Sequence, residues 1–298
     1  MSWVSTFPGY SNLMGRAKKV AGQILQTGPT PRHVGVIMDG NRRFAREHKL
    51  EVKEGHSFGF DAMAAVLELL YQSGVEHATV YAFSIDNFRR LRQEVDWLMD
   101  LAKSKLKQMA QHGELCDQYG IRIRVLGNVL LLPPDVRAAL RDTERRTAHN
   151  SRAVLNVCFP YTARDEMAHA VRAVVGAAAA DPHCKVDQAA LERHLYTGEA
   201  PPLDLLVRTS GTFRLLDFLL WQAVPSSCAV VFCPKLWPEF TAWDMCLILL
   251  RWSFNRYWYG SGSGKRADAW SDSDSDSEPD TAETETAETS GFRAKPSL

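Results

Sequence analysis

The chain has 298 residues, 45% of them hydrophobic and 23% charged, with a formal net charge of zero, so it can hold one large domain or two ordinary ones. No apolar run reaches the roughly 18 residues of a membrane-spanning helix, and six cysteines without a CxxC pair argue against a disulfide scaffold or a zinc site. The composition therefore excludes integral membrane and cysteine-rich secreted proteins and favours a reducing compartment.

The first 29 residues contain an amphipathic segment. Leu13, Ala17, Val20 and Ile24 repeat at helical spacing, and basic residues occupy the other faces. Such a helix can lie on a membrane surface, or it can pack against the domain that follows. The periodicity alone leaves both interpretations open.

Strand-like and helix-like runs alternate from residue 30 to residue 258. The predicted strands cover about 33–38, 77–83, 121–127, 153–159, 204–210 and 228–233, and the predicted helices about 56–72, 86–111, 134–149, 163–180, 187–195 and 239–257. This alternation predicts a single α/β domain with a central, mostly parallel β-sheet flanked by helices. Ligands of such sheets bind beyond the carboxyl ends of the strands.

Residues 259–298 form a tail rich in Ser, Asp and Glu, which we expect to be disordered because it has few apolar residues. Residues 261–298 contain nine acidic and four basic residues, and since the whole chain is neutral, the remainder carries a net charge of +5. The Ser-Asp repeats could be phosphorylated or could serve only to keep the chain soluble.

Three segments that follow predicted strands combine small polar residues with arginines. They are "MDGNRR" at 38–43, "AFSIDNFRR" at 82–90 and "RTSGTFR" at 208–214. Because the carboxyl ends of parallel strands meet at one edge of a sheet, we expect the three segments on one rim. Three basic strand ends on one rim indicate a site for two phosphate-bearing ligands.

The first of these segments places a carboxylate among arginines. Gly40 lets a phosphate approach the backbone, and Arg42 and Arg43 can donate charge-assisted hydrogen bonds to it. Asp39 would repel that phosphate unless Mg²⁺, which binds carboxylates together with phosphate oxygens, lies between them. The alternative is that Asp39 only caps a helix and the arginines are solvated.

Nucleic acid is the rival ligand for a basic rim, but the aromatic residues do not interleave with the basic ones as a base-stacking surface requires. The predicted helices at 56–72 and 86–111 are apolar on a broad face. Such faces are usually core, yet a phosphate site that opens onto an apolar interior would suit a lipid diphosphate.

Five longer motifs lie in order between residues 28 and 258. They read "HVGVIMDGNRRFA", "GHSFGF", "VYAFSIDNFRR", "LLVRTSGTFRLLDFLLWQ" and "LWPEFTAWD". Together they resemble the cis-prenyltransferases (undecaprenyl diphosphate synthase-like enzymes), and within that family the eukaryotic dehydrodolichyl diphosphate synthases. Trans-prenyltransferases are excluded, because they use paired DDxxD motifs and this chain has no Asp-Asp pair.

The resemblance implies a transferase that condenses isopentenyl diphosphate onto farnesyl diphosphate and makes long-chain polyprenyl diphosphate for dolichol synthesis and protein glycosylation. It implies the following roles: Asp39 holds Mg²⁺ and is catalytic together with Asn41; Gly40, Asn41, Arg42, Arg43 and His56 bind the allylic diphosphate; Ser84, Asn87 and Arg90 are further active-site residues; Arg208 and Arg214 bind isopentenyl diphosphate. Product length and the allylic starter stay open.

The chain departs from the family pattern in the isopentenyl motif and near the His of "GH". Val52 stands where the family usually has Arg, with Lys53 as a neighbouring substitute, and Thr212 replaces a common Glu. Leu216 replaces a Ser that commonly contacts isopentenyl diphosphate. Leu cannot hydrogen-bond a phosphate, so we expect binding there to be weaker or to be completed by other groups.

Two further family features are missing. The last strand, "SSCAVVFC", has no acid where bacterial members supply a metal-binding Glu, and no Arg-x-Gly motif follows the last predicted helix. By resemblance, a Nogo-B-receptor-like partner would supply that motif and pair through the helix near 239–257, and the complex would lie peripherally on the cytoplasmic face of the endoplasmic reticulum membrane. A homodimer and a non-catalytic, scaffold-type subunit are the alternatives.

Overall fold

The computed structural model describes residues 10–111, 114–181, 183–225 and 227–259, so the predicted tail lies outside the described residues except for Tyr259. The helices found there are α1 (Tyr10–Leu25), α2 (Asn41–Glu47), α3 (Val52–Gln72), α4 (Arg92–Gln111), α5 (Glu114–Tyr119), α6 (Pro134–Thr147), α7 (Ala163–Ala180), α8 (Gln188–His194) and α9 (Ala242–Tyr259). The strands are β1 (His33–Ile37), β2 (His77–Tyr81), β3 (Ile121–Leu126), β4 (Ala153–Cys158), β5 (Leu205–Arg208) and β6 (Ala229–Phe232).

The six strands form one parallel sheet in the order β3-β4-β2-β1-β5-β6. Every residue of β1 is buried, as expected for a central strand that is covered on both faces. Val34 and Val36 belong to the core that includes residues of α3 and α4, whereas Ile37 packs with Leu206 on the opposite face. The predicted single α/β domain with a parallel sheet is confirmed.

The register of the sheet brings the three arginine-containing segments to one rim. Ile37 at the end of β1 pairs with Arg208 at the end of β5, and β2 is the other neighbour of β1. Just beyond the strands, the backbone N–H of Asp39 donates to Thr209 Oγ1 at 3.1 Å. The expectation that these strand ends share an edge is confirmed.

Helix boundaries differ from the predictions where local hydrogen bonds decide them. α3 begins at Val52 rather than near residue 56, because the Glu54 carboxylate accepts from the Glu51 N–H at 2.8 Å. A single helix over 86–111 was wrong: Ile85–Arg89 is a 3₁₀ turn, Arg90 is extended, and α4 starts at Arg92. The short helix α5 was not predicted.

The N-terminal helix α1 packs on α3 through a face other than its predicted apolar one. Leu25 is buried, and Lys18 Nζ lies 3.0 Å from Glu68 Oε2 on α3. Val20 and Ile24, which belong to the predicted apolar face, are 52% and 57% exposed. In the part of the chain that the structure describes, no helix has both the length and the apolar character to cross a bilayer.

Candidate active site

A cavity of about 620 Å³ opens at the carboxyl ends of β1 and β2. Its mouth is polar and largely basic, lined by Asp39, Gly40, Asn41, Arg42, Arg43, His56, Ser84, Asn87 and Arg90. Its interior is apolar, lined among others by Phe60, Met63, Val80, Leu98, Leu106 and Phe159. The cavity therefore has the polarity of a ligand with an anionic head and a hydrocarbon tail.

Asp39 sits at the mouth on top of a buried guanidinium group. Arg208 Nη2 donates to Asp39 Oδ2 at 2.8 Å, and the Arg208 side chain is 0% exposed whereas that of Asp39 is 31% exposed. Ser210 Oγ donates to the same oxygen at 2.9 Å, and Arg43 Nη2 lies 3.5 Å from it. The carboxylate is thus held in place by two groups from the end of β5 and one from α2.

These contacts keep Asp39 ionised. Burial disfavours the charged form, but the hydrogen bonds from Arg208 and Ser210 and the positive charges of Arg208 and Arg43 outweigh it and lower the pKa of Asp39 below its ordinary value. Its backbone is also fixed, because Trp237 N–H and Thr209 Oγ1 both donate to Asp39 O, at 3.0 and 2.8 Å. Asp39 is a preorganised anion at a cationic mouth.

The free side of Asp39 fits Mg²⁺. The side-chain contacts of its carboxylate with described residues all involve Oδ2, so Oδ1 has no partner among those residues. Within the described residues no group of three or more His, Cys, Asp or Glu side chains could hold a metal ion by itself. This donor set suits a hard cation that takes one carboxylate and completes its shell with phosphate oxygens and water.

Asn41 is fitted closely against α3. A Cβ on Gly55 would lie 2.5 Å from Asn41 O, and a Cβ on Gly59 would lie 2.3 Å from Asn41 Oδ1. Trp237 Nε1 donates to Gly59 O at 2.7 Å and so holds this turn of α3. Asn41 Oδ1, which faces Gly59, is buried without a hydrogen-bond partner among the described residues.

Gly40 precedes Asn41 and turns the chain from β1 into α2. Its φ of 117° lies in the region that glycine tolerates, and a Cβ there would meet Leu236 Cα at 3.0 Å. The close approach of Leu236 adds a second reason for glycine at this position. The backbone between Asp39 and Asn41 therefore requires a glycine at position 40.

His56 lines the mouth as a neutral imidazole. Burial, and next the positive charge of Arg90, lower its pKa to about 4, although Glu94 opposes the shift. Its Nε2 is buried with no partner among the described residues. Glu94 joins two of the predicted site residues, since its Oε1 lies 2.9 Å from Arg90 Nη1 and 3.9 Å from Arg42 Nε.

Ser84 and Asn87 reach the cavity from the 3₁₀ turn that follows β2. The Ser84 hydroxyl accepts from Asp86 N–H at 3.2 Å, which fixes the start of this turn. Arg90, at its end, is extended and paired with Glu94. The break before α4 is what turns all three predicted residues toward the mouth.

The predicted isopentenyl residues are placed differently from one another. Arg208 is engaged by Asp39 and by the carbonyl of Arg214, and its Nε is buried without a partner among the described residues. The Arg214 side chain is exposed and does not line the cavity. Leu216 does line it, in the left-handed region at φ 52°, with its carbonyl accepting from Tyr81 OH at 3.1 Å.

Residues 37–260 match the Prenyltransf family of undecaprenyl diphosphate synthases. The chain belongs to this cis-prenyltransferase family. Dehydrodolichyl diphosphate synthase complex subunits of Schizosaccharomyces pombe and Homo sapiens are 42% and 41% identical to it over 234 and 258 residues, which cover 78% and 86% of this chain and 88% and 75% of theirs. The crystal structure of lavandulyl diphosphate synthase from Lavandula x intermedia in complex with dimethylallyl diphosphate superimposes with a TM-score of 0.68 at 28% identity, over 75% of this chain and 95% of that one.

Several residues of the site in this cis-prenyltransferase were not predicted from the sequence, among them Gly59, Glu94 and Lys105. Gly59 lies in the quoted "GHSFGF" motif, and Glu94 follows Arg90 at the i,i+4 spacing of helical ion pairs, so both left a signal. Lys105 lines the cavity, with Nζ 4.7 Å from the centre of the Phe60 ring. In the sequence, Lys105 cannot be distinguished from the neighbouring Lys103 and Lys107, which do not line the cavity.

Proposed function

We propose that the chain is the catalytic subunit of a cis-prenyltransferase that condenses isopentenyl diphosphate units onto farnesyl diphosphate. Its product would be long-chain polyprenyl (dehydrodolichyl) diphosphate for dolichol synthesis and protein glycosylation. The observation that carries the proposal is the cavity, in which Asp39, backed by Arg208, stands at a basic mouth above an apolar interior. The names of the curated relatives point to the same activity.

In this proposal, Asn41, Arg42, Arg43 and His56 bind the allylic diphosphate, with the backbone of Gly40 allowing close approach. The two guanidinium groups supply charge-assisted hydrogen bonds to phosphate oxygens. His56 is neutral at pH 7 because its pKa is about 4, so it can orient the diphosphate without adding a full charge. Ser84, Asn87 and Arg90 close the mouth on the β2 side.

Asp39 would hold Mg²⁺ in this proposal, while Arg208 and Ser210 fix the carboxylate by hydrogen bonds to Oδ2. Bound Mg²⁺ would neutralise phosphate charge and assist the departure of pyrophosphate from the allylic substrate. Asn41, the second proposed catalytic residue, lines the same mouth and would assist removal of a proton from the second substrate. Arg208 contributes its charge from beneath Asp39, and Arg214 would have to turn inward to contact isopentenyl diphosphate.

The non-catalytic, scaffold-type alternative is not favoured, because the relatives are named as synthase subunits and Asp39, Asn41, Arg42 and Arg43 all line the mouth. The weak point is the isopentenyl side, where Leu216 offers a carbonyl that is already bonded to Tyr81 and no side-chain donor. We infer that other groups complete that side.

A partner subunit would supply such groups. One face of α9, here called the α9 face, exposes apolar residues at helical spacing: Trp243 39%, Leu247 66%, Leu250 41%, Phe254 57% and Trp258 63%. The neighbouring edge strand β6 is only partly buried. The curated relatives are named as complex subunits, and we propose a Nogo-B-receptor-like partner that covers this face and contributes the Arg-x-Gly motif.

We propose peripheral attachment to the cytoplasmic face of the endoplasmic reticulum membrane. Val20 and Ile24 on α1 are exposed because α1 packs on α3 through its other face, and the exposed Lys19 lies beside them. Apolar residues flanked by a basic one suit the interface of an anionic bilayer. In this proposal, α1 packs on the domain through one face and contacts the membrane surface through the other.

The test is incorporation of radiolabelled isopentenyl diphosphate with farnesyl diphosphate, Mg²⁺ and the co-expressed partner. We expect incorporation into long-chain lipid, and its loss in Asp39→Asn, which keeps the shape of the side chain. Asp61→Asn, an exposed site on α3, is the matched control and should retain activity. Absence of product from the wild-type complex, or full activity of Asp39→Asn, would refute the proposal.

A further inference from the structure

A second cavity, of about 270 Å³, lies at the outer edge of the sheet. Its lining includes Arg124, Arg137, Arg141, Glu144 and Tyr196, and we call it the arginine pocket. None of these residues lines the candidate active site. The strands β4 and β2 separate its strand, β3, from β1, so it is a distinct feature of the fold.

The pocket forms where α6 covers the free edge of β3. Ile123 N–H donates to Thr147 Oγ1 at 3.0 Å, and Val125 N–H donates to Glu144 Oε1 at 2.8 Å. The carboxylate of Glu144 is therefore directed at the strand backbone. This arrangement fixes the side of α6 that carries Arg137 and Arg141 against the edge of the sheet.

The arginines of this pocket are poorly compensated. Arg124, with a side chain only 17% exposed, pairs at 3.3 Å with Glu199, whose side chain is 71% exposed. Among the described residues, neither Arg137 nor Arg141 has a carboxylate within ion-pair distance. Of the three arginines, only Arg124 therefore has a carboxylate partner among the described residues.

The other arginines of α6 do have carboxylate partners, so on this helix only the arginines of the pocket lack one within the described part of the chain. Arg145 and Arg146 on the same helix both pair with Asp142, at 3.3 and 2.7 Å. Arg137 and Arg141 instead lie four residues apart with like charge, a spacing that destabilises a helix. An anion between them would remove that cost.

We propose that the arginine pocket binds a phosphate-type anion. Guanidinium groups donate paired hydrogen bonds that match the geometry of phosphate oxygens, and the pocket is large enough for a phosphate or a diphosphate. Tyr196 forms a wall rather than a ligand, because its hydroxyl donates to Asp165 Oδ2 at 3.0 Å. The anion could be free in solution or be the phosphoryl headgroup of a lipid, and the site does not depend on the proposed catalytic function.

Methyl NMR spectroscopy of the full-length chain, with any partner that co-purifies, tests the proposal. Val125, Leu126 and Val129 report on the arginine pocket, and Met63 and Leu98 report on the active-site cavity. Inorganic phosphate and pyrophosphate are titrated at constant ionic strength, which separates binding from screening. Vesicles of phosphatidylcholine with and without phosphatidic acid form the second arm.

We expect the pocket methyl signals to shift and saturate independently of the active-site signals. Because each charge-assisted hydrogen bond contributes about 1.5–3 kcal/mol, Arg137→Gln/Arg141→Gln should weaken binding more than about tenfold. The matched variant Arg145→Gln/Arg146→Gln should bind as the wild type does. Saturation by the soluble anions identifies a free ligand, and shifts with phosphatidic acid vesicles alone identify a headgroup.

The proposal is overturned if chloride at equal ionic strength produces the same shifts. It is also overturned if none of the phosphate probes moves the pocket signals, or if the Arg137→Gln/Arg141→Gln variant binds as tightly as the wild type. Unchanged methyl signals away from the pocket show that the variants remain folded.

Discussion

A side chain at position 59 would collide with Asn41, because a Cβ on Gly59 would lie 2.3 Å from Asn41 Oδ1. We expect Gly59→Ala to displace Asn41 and to lower kcat/KM by about 100-fold, the cost of a misplacement of roughly 1 Å in a site. Steady-state kinetics with both diphosphates measures this. A variant with normal kinetics would show that the contact between α2 and α3 is dispensable.

Gly176 is the matched control for this substitution. It lies in α7, and a Cβ there would meet nothing within 4 Å. Gly176→Ala should leave kinetics unchanged and stabilise the protein by up to about 1 kcal/mol, the difference in helix propensity. Urea unfolding measures that gain.

Removing Asp39 should also destabilise the protein. Asp39→Ala leaves the buried Arg208 without its carboxylate, and breaking a buried ion pair costs about 3–5 kcal/mol. We expect the lower end, because the Asp39 side chain is 31% exposed. The double variant Asp39→Ala/Arg208→Met should recover part of the unfolding free energy and stay inactive; if it is no more stable than Asp39→Ala, the two residues are not coupled.

Acidification should destabilise the fold through two buried histidines. Burial lowers the pKa of His33 and of His56 to about 4, from the ordinary 6.5. The unfolded chain therefore binds protons at higher pH than the folded one, so stability is complete above pH 6.5 and falls as the pH drops towards 4. The loss should reach up to about 3 kcal/mol for each histidine.

Urea unfolding between pH 4.5 and pH 7 measures this slope. His56→Gln should flatten it by the share that His56 contributes. His183→Gln, at an exposed site, is the control and should leave the slope unchanged. An identical slope in His56→Gln would show that His56 is not the titrating group.

Filling the apolar interior should shorten the product. Ala102 on α4 lines the cavity, and Ala102→Phe would occupy part of its volume of about 620 Å³. We expect shorter polyprenyl chains, with little change in the first condensation at the rim. Chromatography of the labelled lipids measures their length, and Ser104→Phe on the exposed side of α4 should give the wild-type distribution.

Charges on the α9 face should prevent assembly. Leu247→Glu/Phe254→Glu would place two carboxylates on a surface that we expect a partner to cover, and we predict loss of the complex in size-exclusion chromatography. Val175→Glu, on a 60% exposed residue of α7, controls for the added charge and should assemble normally. Normal assembly of the α9 variant would show that the α9 face is not the interface with the partner.

The alternation of strands and helices was enough to predict the sheet, because short runs rich in apolar and β-branched residues mark the strands. The rim residues followed from it, since parallel strands bring their carboxyl ends together. The 3₁₀ turn before α4 was not predicted, because Phe88 and Leu91 continue the apolar spacing of the helix while the Ser84 hydroxyl decides the local backbone. Long-range pairs such as Asp39 with Arg208, separated by 169 residues, depend on strand order and register, which no local pattern encodes.

The N-terminal helix shows the same limit. Its apolar periodicity was correct as a pattern, but the face that packs on α3 contains Lys18 and Gly22 instead. A salt bridge to Glu68 and the close approach that glycine permits decided the orientation. Neither the salt bridge nor the close approach can be predicted from the sequence of α1 alone, because both depend on residues of α3.

The cavity of about 620 Å³ has the capacity of a pocket for a drug-sized molecule. A long polyprenyl chain exceeds that space, so in the proposed reaction its oldest end would leave the protein while the diphosphate is still held at the rim. Each methylene that emerges into water costs about 0.8 kcal/mol, and an exit beside a bilayer removes that penalty. Synthesis and delivery would then be one event, and the surroundings of the exit would help to set the length of the lipid.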